Sequence, residues 1–151
     1  MPVDPGLAGR VLPPTAPFEV TRSAIASFAT AIGSDDPVHH DVAAARASGH
    51  ADVVAPPTFP IVVAFTAMEQ LMGDPAVGIE LRNVVHAEQR FQIVRPVRAG
   101  DVLTATLRVE SVRTAAGTDL IATSSRVATL DGEHVCTTSA TLAHRHPGTG
   151  P

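Results

Sequence analysis

The apolar positions divide the chain into a helical first half and a strand-forming second half. Ile25, Phe28, Ala29 and Ile32 recur at the three-to-four-residue spacing of a helix, and residues 53–72 form a nearly uncharged apolar stretch. From residue 103 onward, apolar residues alternate with Thr, Arg and Glu, which is typical of half-buried strands. The pattern therefore predicts helices followed by an antiparallel sheet.

Two short helices are predicted on either side of a polar turn. Thr21 is the predicted N-cap of the first helix, and Gly33 ends it. Asp41 caps a second helix over residues 42–48, which Gly49 ends. The turn between the two helices concentrates the polar groups Ser34, Asp35, Asp36, His39 and His40.

A third and longer helix is predicted from the N-cap Thr58 to about Met72. Pro60 is tolerated in its first turn, because the N–H that proline lacks has no intrahelical partner there. The prolines at its start and Glu69 near its end favour a core helix over a membrane span. Apolar residues cover nearly the whole circumference, which predicts burial on all sides: Ile61, Val62, Val63, Ala64, Phe65, Ala67, Met68 and Leu71.

Strands are predicted around this helix, with turn residues between them. The strand patterns cover residues 18–20, 84–94, 103–110, 120–130 and 135–142, and the turns lie at 99–101, 115–119 and 131–132. One buried helix followed by a curved antiparallel sheet is the layout of an α+β hotdog fold. We predict one hotdog domain over residues 18–145, an irregular arm over 1–17 and a disordered tail over 146–151.

Composition narrows the class of partner. A chain of 151 residues fits one domain, and 11 Lys+Arg against 15 Asp+Glu without a basic run argue against nucleic acid or membrane partners. The single cysteine, Cys136, cannot form an internal disulfide, and no basic segment followed by an apolar one begins the chain. We therefore expect a cytoplasmic protein, and the lack of Trp and Tyr predicts an aliphatic pocket.

Four segments carry a family resemblance: SDDPVHHD, VVAPPTFPIVVAFTAMEQLM, VVHAEQRF and RPVRAGD. Over nearly its full length the chain resembles the MaoC-like (R)-specific hydratase/dehydratase superfamily. Within it, the chain resembles the N-terminal MaoC-like dehydratase group, which includes the small subunits of (3R)-hydroxyacyl-ACP dehydratases. The resemblance implies a dimeric hotdog unit that takes acyl-ACP or acyl-CoA and uses neither a metal nor a redox cofactor.

The resemblance also implies a catalytic site in the polar turn, which reads Gly-Asp-x-Asn-Pro-(aliphatic)-His in active relatives. Four positions match, namely Gly33, Pro37, Val38 and His39. Asp36 takes the Asn position, and Ser34 stands where the catalytic Asp is expected. His39 is then the implied base, with Ser34 or Asp35 as its hydrogen-bond partner.

Substrate contacts are implied at the start of the third helix, where relatives polarise the thioester carbonyl with a backbone N–H. The corresponding place is about Pro57, which has no N–H to donate. Thr58 or a neighbour would have to replace it. The implied substrate-binding residues are Pro57, Thr58, Phe59 and Val54.

Two functions of different classes follow. The first is a (3R)-hydroxyacyl-thioester dehydratase or enoyl hydratase of fatty-acid or polyketide metabolism, which the retained His39 favours. The second is a noncatalytic acyl-binding subunit in a heterodimer with a MaoC-like partner, which Ser34 and Pro57 favour. A stand-alone thioesterase-like hotdog protein is a third and less favoured reading.

Other polar residues have plainer interpretations. His39 itself has a purely structural alternative, His40 is read as structural, and Asp36 before proline is expected to bond local backbone. A metal site of His39, His40 and Asp41 is disfavoured, because adjacent side chains seldom converge. Three further expectations concern the second half: His86, Glu88 and Arg90 share one strand face in a charged network or dimer contact, Cys136 is buried, and His144 and His146 belong to a solvated end.

Overall fold

A five-stranded antiparallel sheet curls around one long helix in this computed structural model, which describes residues 3–148. The helices are α1 (Arg22–Ala31), α2 (Val42–Ala47) and α3 (Ile61–Met72). The strands are β1 (Phe18–Glu19), β2 (Val84–Ile93), β3 (Val102–Ala115), β4 (Thr118–Thr129) and β5 (His134–Arg145), in the sheet order β1-β3-β4-β5-β2. The predicted hotdog fold is confirmed. Within the described residues, no helix is long and apolar enough to cross a membrane.

Local sequence signals set most of the element ends. The Thr21 side chain accepts from the Ala24 N–H at 3.1 Å, and the Asp41 side chain accepts from the Ala43 N–H at 3.0 Å, so both predicted caps are confirmed. Ala116 and Gly117 have positive φ angles of 51° and 73°, which the two-residue turn between β3 and β4 requires.

The predicted N-cap of α3 is wrong. The helix begins at Ile61 after Pro60, and no side chain caps it. Residues 57–60 form a turn instead, and the amides of Ile61 and Val62 donate to the carbonyls of Thr58 and Phe59 at 3.1 and 3.0 Å. Two prolines in this segment fix φ and remove donors, so a tight turn precedes the helix.

Burial of α3 on all sides is also wrong. One face is buried against the sheet, and it consists of Val63, Ala64, Ala67, Met68 and Leu71. Phe65 is 42% exposed, and Thr66, Glu69 and Gln70 are exposed beside it. The sheet contacts the helix mainly through β3 and β4, so the opposite face has no cover within the described chain.

The two edges of the sheet differ. The N-terminal arm runs along β3, where the amides of Gly9, Leu12 and Thr15 donate to β3 carbonyls at 2.7–3.0 Å. At the other edge, β2 pairs only with β5, and Val85 and Ile93 are 63% and 41% exposed. Among residues 3–148, the β2 edge is therefore the long strand edge that is open to another chain.

The prediction that His86, Glu88 and Arg90 share one face is wrong, because a β-bulge interrupts β2 between His86 and Glu88. His86 is opposite Leu142, whereas Glu88 is opposite Thr141, because the register shifts between His86 and Glu88. Opposed residues of paired strands share a face, so His86 lies on the other face of the strand. Glu88 and Arg90 do form an ion pair, at 2.5 Å.

The prediction that Cys136 is buried is confirmed, since it is 0% exposed, and burial raises the pKa of its thiol.

Candidate active site

The polar turn between α1 and α2 is held by its own hydrogen bonds. The Asp36 side chain accepts from the Val38 N–H at 3.1 Å, which confirms its predicted local role and starts a single 3₁₀ turn. The exposed His40 donates from Nε2 to the Ser34 carbonyl at 3.0 Å. His40 therefore closes the turn, as expected for a structural residue.

His39 is oriented by a backbone carbonyl. Its ring is buried, with 8% of the residue exposed, and Nδ1 lies 2.6 Å from the Val54 oxygen. A carbonyl only accepts, so Nδ1 carries the proton and Nε2 bears the lone pair. Nε2 has no hydrogen-bond partner among residues 3–148. This tautomer leaves the Nε2 lone pair able to accept a proton from a bound molecule.

Ser34 and Asp35 do not hold the ring in this structure. Within residues 3–148, neither side chain hydrogen-bonds His39, and the Val54 carbonyl stands in the position predicted for them. Ser34 is half-buried and contributes its carbonyl to His40, while Asp35 is exposed. Their catalytic roles stay predictions. The rings of His39 and His40 are 6.4 Å apart and bond different carbonyls.

One free backbone donor lies at the turn before α3. Pro57 and Pro60 have no N–H, and the Phe59 N–H donates to the Pro56 carbonyl at 2.9 Å. The Thr58 N–H has no hydrogen-bond partner within the described chain, and Thr58 is exposed. It is therefore the donor available to a bound carbonyl.

Two of the predicted substrate-binding residues, Phe59 and Val54, are buried. Phe59 is 1% exposed and packs between the rings of Phe18 and Phe28, at centroid distances of 6.3 and 5.4 Å. Val54 is 6% exposed and contributes its carbonyl to His39. Phe59 thus supports the helix start from the core, and the exposed Pro57 and Thr58 face solvent.

An apolar cleft of about 260 Å³ adjoins this turn. It is lined by Ala55, Pro56, Pro57, Pro60, Ile93, Arg95, Pro96 and Val97. No aromatic side chain lines it, in agreement with the aliphatic pocket that the composition predicts. Because Ala55 directly follows Val54, the cleft begins one residue from the carbonyl that holds His39.

A second polar cluster was missed by sequence reasoning. The Asp119 carboxylate is 0% exposed and accepts from the Val3 N–H at 2.8 Å and from the Thr114 hydroxyl at 2.6 Å. His146 Nε2 lies 2.9 Å and His144 Nδ1 lies 3.5 Å from its Oδ2 atom. Burial acts to raise the pKa of Asp119, but these hydrogen bonds outweigh it and lower the pKa to about 2.

The prediction of a solvated end is therefore wrong for His144, which is 1% exposed because β5 runs on to Arg145. The side chain of His146 is 16% exposed, and the part of the predicted tail over 149–151 lies outside the described residues. The sequence does contain a sign that Asp119 and His144 are buried: each lies two residues from an inward-facing residue of its strand, Ile121 or Leu142.

Within residues 3–148, no three His, Cys, Asp or Glu side chains are grouped to hold a metal.

Comparison with known proteins defines the class. The fold matches a C-terminally truncated HadBC complex, a (3R)-hydroxyacyl-ACP dehydratase of Mycobacterium tuberculosis, with a TM-score of 0.82 and 31% identity over 91% of this chain and 96% of that one. It also matches a MaoC-like dehydratase with a TM-score of 0.80 and 30% identity over 93% of this chain and 42% of that one. The protein is a MaoC-like hotdog protein, as the resemblance predicts.

The family follows from the sequence itself. Residues 7–138 match the model of the FAS1-like, dehydratase domain region, and the chain belongs to this family. A UPF0336 protein of Leifsonia xyli subsp. xyli is 48% identical over 145 residues, which cover 96% of this chain and 97% of that protein.

Proposed function

We propose that this protein is a cytoplasmic (3R)-hydroxyacyl-thioester dehydratase or enoyl hydratase, acting on acyl-ACP or acyl-CoA in fatty-acid or polyketide metabolism. The observation that carries the proposal is the state of His39. Its Nδ1 proton is committed to the Val54 carbonyl, and its Nε2 lone pair is unpaired within the described chain. An apolar cleft that would fit the uncharged part of an acyl thioester begins at Ala55, the residue after the Val54 carbonyl that holds the ring.

The reaction needs a base, a donor for the carbonyl and an acid. His39 Nε2 takes the C2 proton, while the Thr58 N–H and the positive end of α3 stabilise the enolate-like oxygen. The protonated ring then gives its proton to the leaving 3-hydroxyl, so the C3–O bond breaks, the C2–C3 double bond forms and water leaves. Hydrogen bonds of catalytic groups often tighten only when substrate binds, so Ser34 and Asp35 stay candidate partners of His39.

A second function is favoured by a different observation. Ser34 replaces the carboxylate that active relatives carry, and Pro57 removes a donor at the helix start. The open β2 edge, with exposed Val85 and Ile93, offers a surface for another chain. The second candidate is therefore an acyl-binding subunit that forms a heterodimer with a MaoC-like partner, and the first candidate would use the same edge in a homodimer.

Crotonyl-CoA hydration separates the two candidates. The purified protein is assayed alone, as the His39→Ala variant, and after addition of a co-encoded MaoC-like chain. Hydration by the protein alone that is lost in His39→Ala supports the enzyme. Hydration that needs the added chain and survives His39→Ala identifies the binding subunit and contradicts the role given to His39.

A further inference from the structure

The loop between β2 and β3 is closed by one arginine that uses every donor it has. Arg95 donates from Nη1 and Nη2 to the two carboxylate oxygens of Asp101, both at 2.9 Å. Nε and Nη2 donate to Glu133 at 3.0 and 2.7 Å, and Nη1 also donates to the Pro96 carbonyl at 2.9 Å. A guanidinium has five N–H groups, and five hydrogen bonds account for all of them.

Asp101 completes this closure from the other end of the loop. Its side chain is 7% exposed, and its Oδ2 atom accepts from the Arg98 N–H at 2.9 Å. Burial opposes its charge, but the bonds from Arg95 and the Arg98 N–H outweigh burial and lower its pKa. The carboxylate therefore binds both Arg95, near the start of the loop, and the Arg98 amide in its middle, which fixes the path of residues 95–101.

The fixed loop holds residues 53–55 in an extended strip. The Ala55 N–H donates to the Val97 carbonyl at 2.7 Å, and the Ala99 N–H donates to the Val53 carbonyl at 3.0 Å. These two bonds lie on either side of Val54, whose backbone forms a bridge with Arg98. The orientation of the Val54 peptide is thus set by the loop.

Val54 in turn holds the polar turn at two points. Its N–H donates to the Val38 carbonyl at 3.1 Å, and its carbonyl accepts from His39 Nδ1 at 2.6 Å. A continuous path of short hydrogen bonds therefore leads from Arg95 and Asp101, through the loop and Val54, to the ring of His39. No side-chain carboxylate holds that ring within the described residues.

We propose that Arg95 and Asp101 are positioning residues for His39, and that they supply through the backbone the orientation that a carboxylate at position 34 would supply directly. The proposal rests on the role of His39 in the proposed function. Catalytic geometry tolerates little displacement, and a misplacement of about 1 Å can reduce a rate by about 10²-fold. A loop that relaxes by that amount moves the Val54 carbonyl and turns the ring.

Asp101→Asn is the primary test. It keeps the size of the side chain but removes the charge and one of the two parallel acceptors for Arg95. Arg95→Lys is the companion variant. The ammonium group of lysine lacks the planar fork of a guanidinium, so it cannot bond two carboxylates and a carbonyl at once. Asp74→Asn is the matched control, because it weakens another Arg–Asp pair, in which Asp74 after α3 bonds Arg10 of the N-terminal arm at 2.8 Å.

Two readouts separate positioning from stability. The first is the Nδ1–H resonance of His39, assigned by its loss in His39→Ala, in nitrogen-15 spectra of the folded protein. We expect it to shift and exchange faster with water in Asp101→Asn and Arg95→Lys, and to stay unchanged in Asp74→Asn. The second is crotonyl-CoA hydration, where we expect kcat to fall by on the order of 10-fold to 10²-fold with little change in KM.

An unchanged His39 resonance in folded Asp101→Asn and Arg95→Lys would overturn the proposal. This outcome is independent of the proposed function, because the resonance is observed whether or not the protein hydrates crotonyl-CoA. If hydration survives His39→Ala, the proposed function fails while the resonance still tests the path. If Asp101→Asn does not fold, Glu133→Gln, which alters the more exposed acceptor of Arg95, must shift the same resonance in the same direction.

Discussion

Two histidines in this fold have opposite surroundings. The His39 ring bonds the carbonyl of Val54, the residue before the cleft begins at Ala55, and keeps one nitrogen unpaired within the described chain. His144 is 1% exposed, its Nδ1 lies 3.5 Å from the buried Asp119 carboxylate, and its Nε2 accepts from the Glu80 N–H at 3.2 Å. The carboxylate–histidine pair familiar from catalytic sites is therefore present where no substrate can reach it.

The comparison shows that the residue types of a site do not define its role. Asp119 joins four parts of the chain, because its partners lie on the N-terminal arm, on β3, on β5 and just after it. Both carboxylate oxygens of Asp119 and both ring nitrogens of His144 have partners in those parts or in the Glu80 backbone. The His39 ring makes one hydrogen bond to the described protein and has one nitrogen left for chemistry. We therefore expect the Asp119 cluster to contribute stability, and proton transfer is the role proposed for His39.

The largest expected effect is on stability at the buried site. Asp119→Ala leaves two imidazoles, a hydroxyl and a backbone N–H without their acceptor, and breaking a buried charged network costs about 3–5 kcal/mol of the free energy of unfolding. Urea denaturation measures the loss. Asp74→Ala, which removes a more exposed ion pair, should cost much less than Asp119→Ala, because solvent screens exposed charges. Equal losses in the two variants would remove the distinction between the sites.

Exchanging the two histidines for alanine tests the division of roles directly. His39→Ala should reduce kcat for crotonyl-CoA hydration by about 10²-fold to 10⁴-fold, the usual contribution of a general acid–base group. His144→Ala should lower the midpoint of urea denaturation while the folded fraction keeps its kcat. Denaturation curves and assays on the same preparations give both values. The assignment is wrong if the His144 variant is stable but inactive.

A smaller effect is expected on the free energy of unfolding at low pH. The pKa of Asp119 is lowered from 3.8 to about 2, so its contribution is fully present above about pH 4 and is lost as the pH falls through about 2. A shift of this size corresponds to roughly 2 kcal/mol. We therefore expect the stability gap between the wild type and Asp119→Asn to close between about pH 4 and pH 2 in urea titrations. A gap that stays constant over this range contradicts the prediction, and His39→Ala should leave this pH dependence unchanged.

The fold was predictable because its signals are local. Caps at Thr21 and Asp41, alternation from residue 103 and turn residues at 115–119 each determine one element without reference to distant parts of the chain. The start of α3 was not predictable in the same way. Thr58 has the chemistry of a cap, but the prolines around it impose a turn, and the helix begins two residues later than a cap at Thr58 would place it.

The candidate site was predictable only as a segment. The concentration of polar residues at 34–40 marks the turn in the sequence, and His39 is the candidate base within it. Its partner is a main-chain oxygen of Val54, fifteen residues away, and no side-chain pattern marks a carbonyl as a hydrogen-bond acceptor for a ring. The Asp119 cluster went unnoticed for a different reason, since its members are far apart in the sequence and meet only through strand pairing.

The smallest expected effect comes from making the His39 site resemble the Asp119 cluster. Ser34→Asp places a carboxylate at the position that active relatives use, where it can stabilise the protonated ring of His39. A hydrogen bond to a charged group contributes about 1.5–3 kcal/mol when its geometry is good, but the Val54 carbonyl already holds Nδ1, so we expect a rise in kcat/KM of about 10-fold at most. Assays of crotonyl-CoA hydration measure it.

The matched control for this gain is the double variant with His39→Ala, in which the new carboxylate has no ring to act on and should give no rise. Asp35→Ser is the companion change, and it should have no effect if the neighbouring carboxylate is only solvated. An unchanged rate in Ser34→Asp, together with an active wild type, would mean that the carbonyl alone provides the orientation that relatives draw from a carboxylate. A rise that persists without His39 would mean that the added carboxylate acts on the substrate itself.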